Sequence, residues 1–345
     1  MENRRKTAVV LFNLGGPDRL DAVRPFLFNL FSDPAIINMP NPFRWLLAQF
    51  ISRRREPIAK GIYTELGGGS PILGETKAQA RALTDVLNAS NKADCNYRVF
   101  VCMRYWHPMS IEVAAEVQYW KPDRVVLLPL YPHFSTATTA SSIHDWNKRA
   151  NQIGIEAETT TVCCYATNEG YVTAQAKKIR KVLSKVEGSR IVLFSAHGLP
   201  KKIVDAGDPY QFQIEQTAEA VAKAVGLDPN SWMVCYQSRV GRLEWIGPSL
   251  DEALEIVSKT NRAAVIVPIS FVSEHSETLV ELDIEYKKLA EKNGCSFYKR
   301  VPALGIEENF IKGLTELVLQ KETRGNFVSS VMCPSKYKKC PCQSL

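Results

Sequence analysis

Eight short apolar runs, each followed by a longer amphipathic stretch, constrain this 345-residue chain more than any other feature. They are Thr7–Asn13, Tyr97–Met103, Arg124–Leu130, Ala157–Cys164, Arg190–Phe194, Trp232–Tyr236, Ala263–Ile269 and Cys295–Arg300. Alternation of this kind predicts parallel strands covered by helices. The runs fall into two sets of four that repeat one plan: Val125–His133, apolar and broken by Pro129 and Pro132, matches Ala264–Val272, broken by Pro268. The predicted fold class is therefore α/β, with two similar doubly wound, Rossmann-like domains whose four-stranded parallel sheets face a cleft. Expected boundaries are 1–165 for the first domain, with a long insertion over about 16–96, and 166–304 for the second. A last helix over about 305–323 is expected to pack back on the first domain, ahead of a cysteine-containing tail, 324–345.

Open α/β sheets keep their chemistry beyond the carboxyl ends of their strands. Residues expected there include Asn13, Leu14, Arg104, Tyr105, Tyr131–Thr136, His197, Gln237, Ser238 and Ser273–Glu277. The run Leu193-Phe194-Ser195-Ala196 delivers His197 directly before Gly198, Leu199 and Pro200. A histidine in that position is a candidate general base, the alternative being a packed residue that ends a strand. After the seventh run, Glu274, Glu277, Glu281 and Glu285 recur at three, four and four residues, which on an α-helix makes one stripe of carboxylates. Such a stripe is either a solvated face or a path for protons or a divalent cation.

The net charge of +7 is dispersed except at Arg53–Arg55 and at Lys336, Lys338 and Lys339, which favours an anionic ligand or lipid surface over nucleic acid. The charged amino terminus precedes only a short apolar run, so neither a signal segment nor a membrane span is expected and the chain reads as cytosolic. Its nine cysteines then read as thiols or metal ligands. Within the insertion, Trp45–Ile51 lies directly before the three arginines. That pattern fits a segment dipping into anionic lipid or lipping an apolar pocket, or else an ordinary core helix with a solvated end. Gly67-Gly68-Gly69-Ser70-Pro71 lacks the Lys-Ser/Thr of a phosphate loop, so no nucleotide site is expected there. Cys333, Cys340 and Cys342 place three thiols in a short polar tail, one fewer than a 2Fe–2S cluster or structural zinc requires.

Several longer motifs, in order, make the chain resemble the ferrochelatases over nearly its whole length. They are Leu193–Pro200 with Gly207–Tyr210, Cys235–Gly241 with Trp245–Pro248, Ser273–Leu279, Leu11–Pro17, Gly67–Ile72, and Arg104-Tyr105. The resemblance implies a lyase that inserts Fe²⁺ into a porphyrin with release of two protons, the terminal step of haem biosynthesis. It implies His197 and Glu277 as proton acceptor and metal-site partners, without deciding which does which. Glu274, His275, Glu281 and Glu285 become the proton or metal path. Leu14, Arg104 and Tyr105 map to one face of the macrocycle, and Tyr63, Ser70, Ser238 and Trp245 to its wall and propionates. Leu14-Gly15-Gly16 stands where the coproporphyrin branch carries Tyr-Gly-Thr, so protoporphyrin IX is the expected substrate, with coproporphyrin chemistry or a non-catalytic tetrapyrrole binder as the alternatives. Trp45–Ile51 matches the family's apolar lip, implying peripheral contact with the inner face of the membrane. Some bacterial relatives hold a 2Fe–2S cluster on such a cysteine tail plus one internal cysteine; here Thr136 occupies the usual internal position, leaving Cys164 or Cys163, of which only one faces the right way. The sequence leaves open whether the chain acts alone or as a homodimer.

Overall fold

All eight apolar runs contain strands, and the inner ones are buried on both faces, which is the condition that removes polar alternation from a parallel sheet. The computed structural model describes residues 4–90, 95–239, 241, 243–295, 297–320 and 326–343. Met1–Asn3, 91–94 of the insertion, Val240 of the Cys235–Gly241 motif, Arg242, Ser296 of the eighth run, 321–325 and 344–345 lie outside the described residues. The strands are β1 (Arg5–Asn13), β2 (Cys95–Met103), β3 (Arg124–Pro129), β4 (Glu158–Cys164), β5 (Arg190–His197), β6 (Trp232–Gln237), β7 (Ala263–Pro268), β8 (Tyr298–Arg300) and β9 (Phe327–Ser329).

The first sheet has the order β2-β1-β3-β4-β9 and the second β6-β5-β7-β8, so the first four strands of each follow one scheme. The pairs β1–β2, β1–β3 and β3–β4 are parallel, as are β5–β6, β5–β7 and β7–β8. The expectation of four strands per sheet fails for the first. Its fifth strand, β9, comes from the tail, where no periodic apolar pattern announces it. Thr161 N donates to Asn326 O at 2.7 Å and Ser330 N to Cys164 O at 3.3 Å, and backbone pairing of this kind needs no sequence signature.

Chain contacts divide the molecule into two compact units, Met1–Cys163 with Leu314–Val328 and Cys164–Gly313 with Ser329–Leu345. In the first, Ala8, Val10 and Phe12 of β1 point to one side and pack with Phe100, Val125, Leu127 and Trp146, while Val9 and Leu11 are equally buried on the other. The Phe12 and Trp146 rings meet edge-on at 6.0 Å. In the second, Leu193, Cys235, Ala264 and Ile266 pack beneath the helix Leu250–Lys259. That helix starts at Ser249, whose hydroxyl accepts from Glu252 N at 3.1 Å while the Glu252 carboxylate accepts from Ser249 N at 2.6 Å. A reciprocal cap of this type fixes where the chain turns into the helix.

The acidic segment is not the α-helix that its spacing suggests. Glu277–Tyr286 is a π-helix, with the wider i→i+5 turn, and becomes α-helical only over Lys287–Lys292. Glu274 precedes it, so the four carboxylates do not form a single stripe.

Candidate active site

Register places the central residue. His197 ends β5 opposite Gln237, the last residue of β6, and Tyr210 donates its hydroxyl to the His197 carbonyl at 3.1 Å. The chain then passes so close to β6 that a Cβ on Gly198 would lie 2.9 Å from the Gln237 carbonyl oxygen and 3.3 Å from the Trp245 ring. Only glycine fits, and the turn holds the imidazole at the strand end with its side chain 45% exposed.

His197 Nδ1 lies 2.8 Å from Glu277 Oε2. Ser238, in the left-handed region at φ 60°, donates its hydroxyl to Glu281 Oε2 at 2.7 Å and stands 3.4 Å from Glu277 Oε2. Behind them the fully buried Ser195 donates to Gln237 Oε1 at 2.8 Å. Gln237 turns its amide outward, 3.4 Å from both Glu281 Oε2 and the Glu277 carbonyl. His275 is buried, its Nδ1 3.1 Å from Ser273 O and its Nε2 4.0 Å from Glu277 Oε1.

Burial opposes ionisation of Glu277, but the His197 imidazolium, the hydrogen bond from it, and His275 overcome this and hold the carboxyl down to about 2. Burial likewise opposes a charge on His197, and Glu277 more than compensates, raising its pKa. Glu281 goes the other way: burial and the neighbouring Glu277 charge push it up to about 7, against the bond from Ser238. Three adjacent groups thus differ widely in proton affinity, the arrangement that acid–base chemistry uses. With Nδ1 donating to Glu277, the imidazole carries its lone pair on Nε2, which makes no hydrogen bond among the described residues. The site can accept a proton at Nε2, stabilise the resulting cation through Glu277, and pass charge toward Glu281 by way of Ser238.

The structure leaves some sequence candidates outside this group. Glu274 accepts from Arg300 Nη1 at 3.0 Å and from Ala303 N at 2.8 Å, and the adjacent cation holds its pKa down against burial. Glu285 is exposed. Trp245 pairs with Pro200 in an isolated bridge, and its buried Nε1 lacks a partner among the described residues.

The first unit holds a second polar group at the carboxyl ends of β1 and β2. Tyr105 N donates to Leu14 O at 3.0 Å and Arg104 N to Asn13 O at 2.9 Å, so the β1–β2 register continues into these loops. The Arg104 guanidinium lies 2.7 Å from Asp33 Oδ2 and donates through Nε to Ser141 Oγ at 2.8 Å. Tyr105 OH donates to the same Asp33 oxygen at 2.8 Å, as does the Ser141 hydroxyl. These donors, with the Ala35 amide, lower the Asp33 pKa although burial acts to raise it. Tyr63 packs with Tyr105 and Trp106 in an apolar cluster. Ser70 lies against Gly16, where an added Cβ would come within 2.7 Å of its side chain. Asp33 and Ser141 were invisible in the sequence: Asp33 reads as a helix-ending turn residue in Ser32-Asp33-Pro34, and its partner is 71 positions away.

Trp45 and its neighbours lie on the 23-residue helix Phe43–Glu65. The helix buries Ala48 and half-buries Leu47, Gln49 and Ile51, but Trp45, Leu46 and Phe50 are exposed, as are Phe43, Ile58 and the three arginines. No helix among the described residues is long and apolar enough to cross a membrane. Of the tail cysteines, Cys340 and Cys342 have their sulfurs within 4.8 Å of each other and of Cys163. Cys333 hydrogen-bonds with Cys340 and accepts from Gln213 Nε2 at 3.2 Å. Cys164 is instead 3.1 Å from Ser329 Oγ, as expected for the opposite side of the strand.

Comparison with known proteins agrees with this reading. A family model described as Ferrochelatase matches residues 6–322. A ferrochelatase of Caulobacter vibrioides is 51% identical over 346 residues, covering 98% of each chain. One of Pelagibacter ubique is 48% identical over 341 residues, also covering 98% of each. Among solved structures, SirB from Bacillus subtilis with Fe³⁺ aligns over 91% of this chain and 94% of its own with a TM-score of 0.54 at 10% identity, a likeness of fold alone.

Proposed function

Because this chain belongs to the ferrochelatase family, and is thereby a lyase that inserts Fe²⁺ into a porphyrin in haem biosynthesis, we propose that His197 is the base that takes the pyrrole protons. The observation that carries this reading is the 2.8 Å contact between His197 Nδ1 and Glu277, which leaves Nε2 as the basic atom. Metal insertion requires two N–H protons to leave as Fe²⁺ arrives. Glu277 is too acidic to accept them at neutral pH and instead orients the imidazole and stabilises its cation, as a carboxylate does behind any histidine base. Glu281, poised near neutrality and bridged by the Ser238 hydroxyl, relays protons away from the pair. His275 stands beside Glu277 with its Nε2 4.0 Å from Oε1, whereas Glu274 and Glu285 take no part in the relay.

The substrate assigned is protoporphyrin IX, on the strength of Leu14-Gly15-Gly16 and of the exposed apolar helix around Trp45, suited to a poorly soluble macrocycle taken from the inner face of the membrane. Leu14, Tyr63, Ser70, Arg104 and Tyr105 contact the porphyrin in this reading, Arg104 held rigid by Asp33. The unpartnered Trp245 Nε1 supplies a donor for its polar substituents, and Ser238 lines its wall.

The tail fits a 2Fe–2S cluster held by Cys163, Cys340 and Cys342, whose sulfurs converge, with Cys333, which hydrogen-bonds with Cys340, as the fourth buried thiol; the Cys164 sulfur faces Ser329. When bound, the cluster supplies one-electron redox chemistry.

Anaerobic absorbance tests the assignment. Adding protoporphyrin IX and then Fe²⁺ should convert the free-base spectrum to that of haem, faster than with coproporphyrin. Binding without any spectral change on metal addition would reject His197 as a working base.

A further inference from the structure

The second unit also carries a groove of about 990 Å³, apart from the site described, into which positive charge is gathered. One wall is the helix Glu169–Leu183 and the turn after it, presenting Lys177, Lys178, Lys181 and Lys185; Lys287 and Lys299 come from other elements. Lys177, Lys181 and Lys185 recur every four residues and so share a face, where like charges repel by some tenths of a kcal/mol per pair. A helix C-terminus attracts Lys181, but that explains neither Lys299 on β8 nor Lys287, where the π-helix passes into the α-helical turns.

The acidic groups that line the groove are already committed. Glu307 accepts from Lys177 Nζ at 2.7 Å, and Asp283 is held by Arg300 through bonds of 2.9 and 2.7 Å. Lys178 is spent on the Ala303 carbonyl. Lys181, Lys185, Lys287 and Lys299 have no carboxylate within salt-bridge distance among the described residues. Phe297, 39% exposed, adds an aromatic surface to the lining.

We propose that this groove binds a small anion carrying several phosphates. Its volume is that of a small-molecule site, and lysines from separate elements converge on it as point charges suited to phosphate oxygens. A nucleic-acid duplex would need an extended basic stripe, and a planar bilayer reaches only the rim of a concavity.

The test is calorimetric titration of the full chain with inorganic tripolyphosphate. Saturable binding that weakens as salt rises is expected, with affinity reduced at least tenfold in a Lys181→Glu/Lys287→Glu double variant and in its milder Lys→Gln counterpart. Lys148→Glu, at an exposed position on the helix Thr139–Ile153 of the first unit, should leave it unchanged. Unaltered melting temperatures confirm that the variants fold. Absence of binding, equal affinity in the double variants, or binding confined to phosphatidylglycerol vesicles would each overturn the proposal.

Discussion

Ser238 Oγ stands 2.7 Å from Glu281 Oε2 and 3.4 Å from Glu277 Oε2, so a single hydroxyl touches a carboxylate held near pKa 2 and another raised to about 7. If Glu281 carries protons onward, it must be ionised to receive them. The rate of iron insertion should therefore rise through about pH 7, and Glu281→Gln should lower it about 10²-fold and remove that rise. A variant whose pH profile overlays the parent's would exclude Glu281 from the relay.

The same carboxyl makes a stability prediction of definite sign. Its pKa is about 4.5 when unperturbed and about 7 in the folded chain, so between these values the native state holds a proton that the unfolded state has released. Stability is then lost as pH rises across this window. Glu281→Gln keeps an acceptor for Ser238 and removes the penalty, so it should melt about 2–4 °C above the parent at pH 8, with the gap closing toward pH 4.5. Differential scanning calorimetry at the two pH values reads this directly.

Replacing His197 with alanine removes the basic atom while leaving every first-unit contact in place. We expect turnover to fall about 10²–10⁴-fold with porphyrin affinity kept within a few-fold. Fluorescence quenching on porphyrin binding, measured beside the insertion assay, separates the two effects.

The legibility of this site in the sequence follows from distance along the chain. His197 could be found because an apolar strand run ends on it beside Gly198 and Pro200, and Glu277 because it follows the next strand of the sheet order. What could not be read was pairing at long range. Asp33, which accepts bonds from Arg104, Tyr105 and Ser141, looks like any aspartate after a helix. Even spacing of Glu274, Glu277, Glu281 and Glu285 suggested one α-helical face, but the π-helix and the Arg300 guanidinium divided them. The strand β9 was hidden for a related reason, since an edge strand of three residues is specified by its neighbour's backbone and not by its own pattern.

Asp33→Ala tests the first-unit network. Removing one partner of a buried ion pair leaves the other uncompensated, at a cost of about 3–5 kcal/mol. Urea denaturation at neutral pH should show that loss. Asp33→Asn retains an acceptor for Tyr105 and Ser141 and should lose less, while KM for porphyrin rises more than kcat falls, because Arg104 is freed to move.

The adjacent cysteines of β4 give a paired test of the tail. Cys163→Ser should abolish the visible iron–sulfur absorbance and the bound iron and sulfide of anaerobically purified protein, as should Cys342→Ser. Cys164→Ser should retain both, since that thiol faces Ser329. A colourless parent protein, or loss of colour only with Cys164→Ser, would reject the ligand set.

The helix Phe43–Glu65 sets the last expectation. Phe43, Trp45, Leu46 and Phe50 are between 48 and 62% exposed, an unfavourable way to leave large apolar side chains in water. Burying one of them in lipid is worth about 1.5–3 kcal/mol, and Arg53–Arg55 add attraction to anionic headgroups. Trp45→Asp with Phe50→Asp should accordingly reduce binding to phosphatidylglycerol vesicles by more than about 10²-fold in sedimentation. Because neither side chain belongs to the buried core, the melting temperature should not change. The rate with detergent-solubilised porphyrin should also hold, while the rate with porphyrin presented in vesicles falls. A variant equally impaired in both assays would mean that the helix shapes the site itself and not the approach to it.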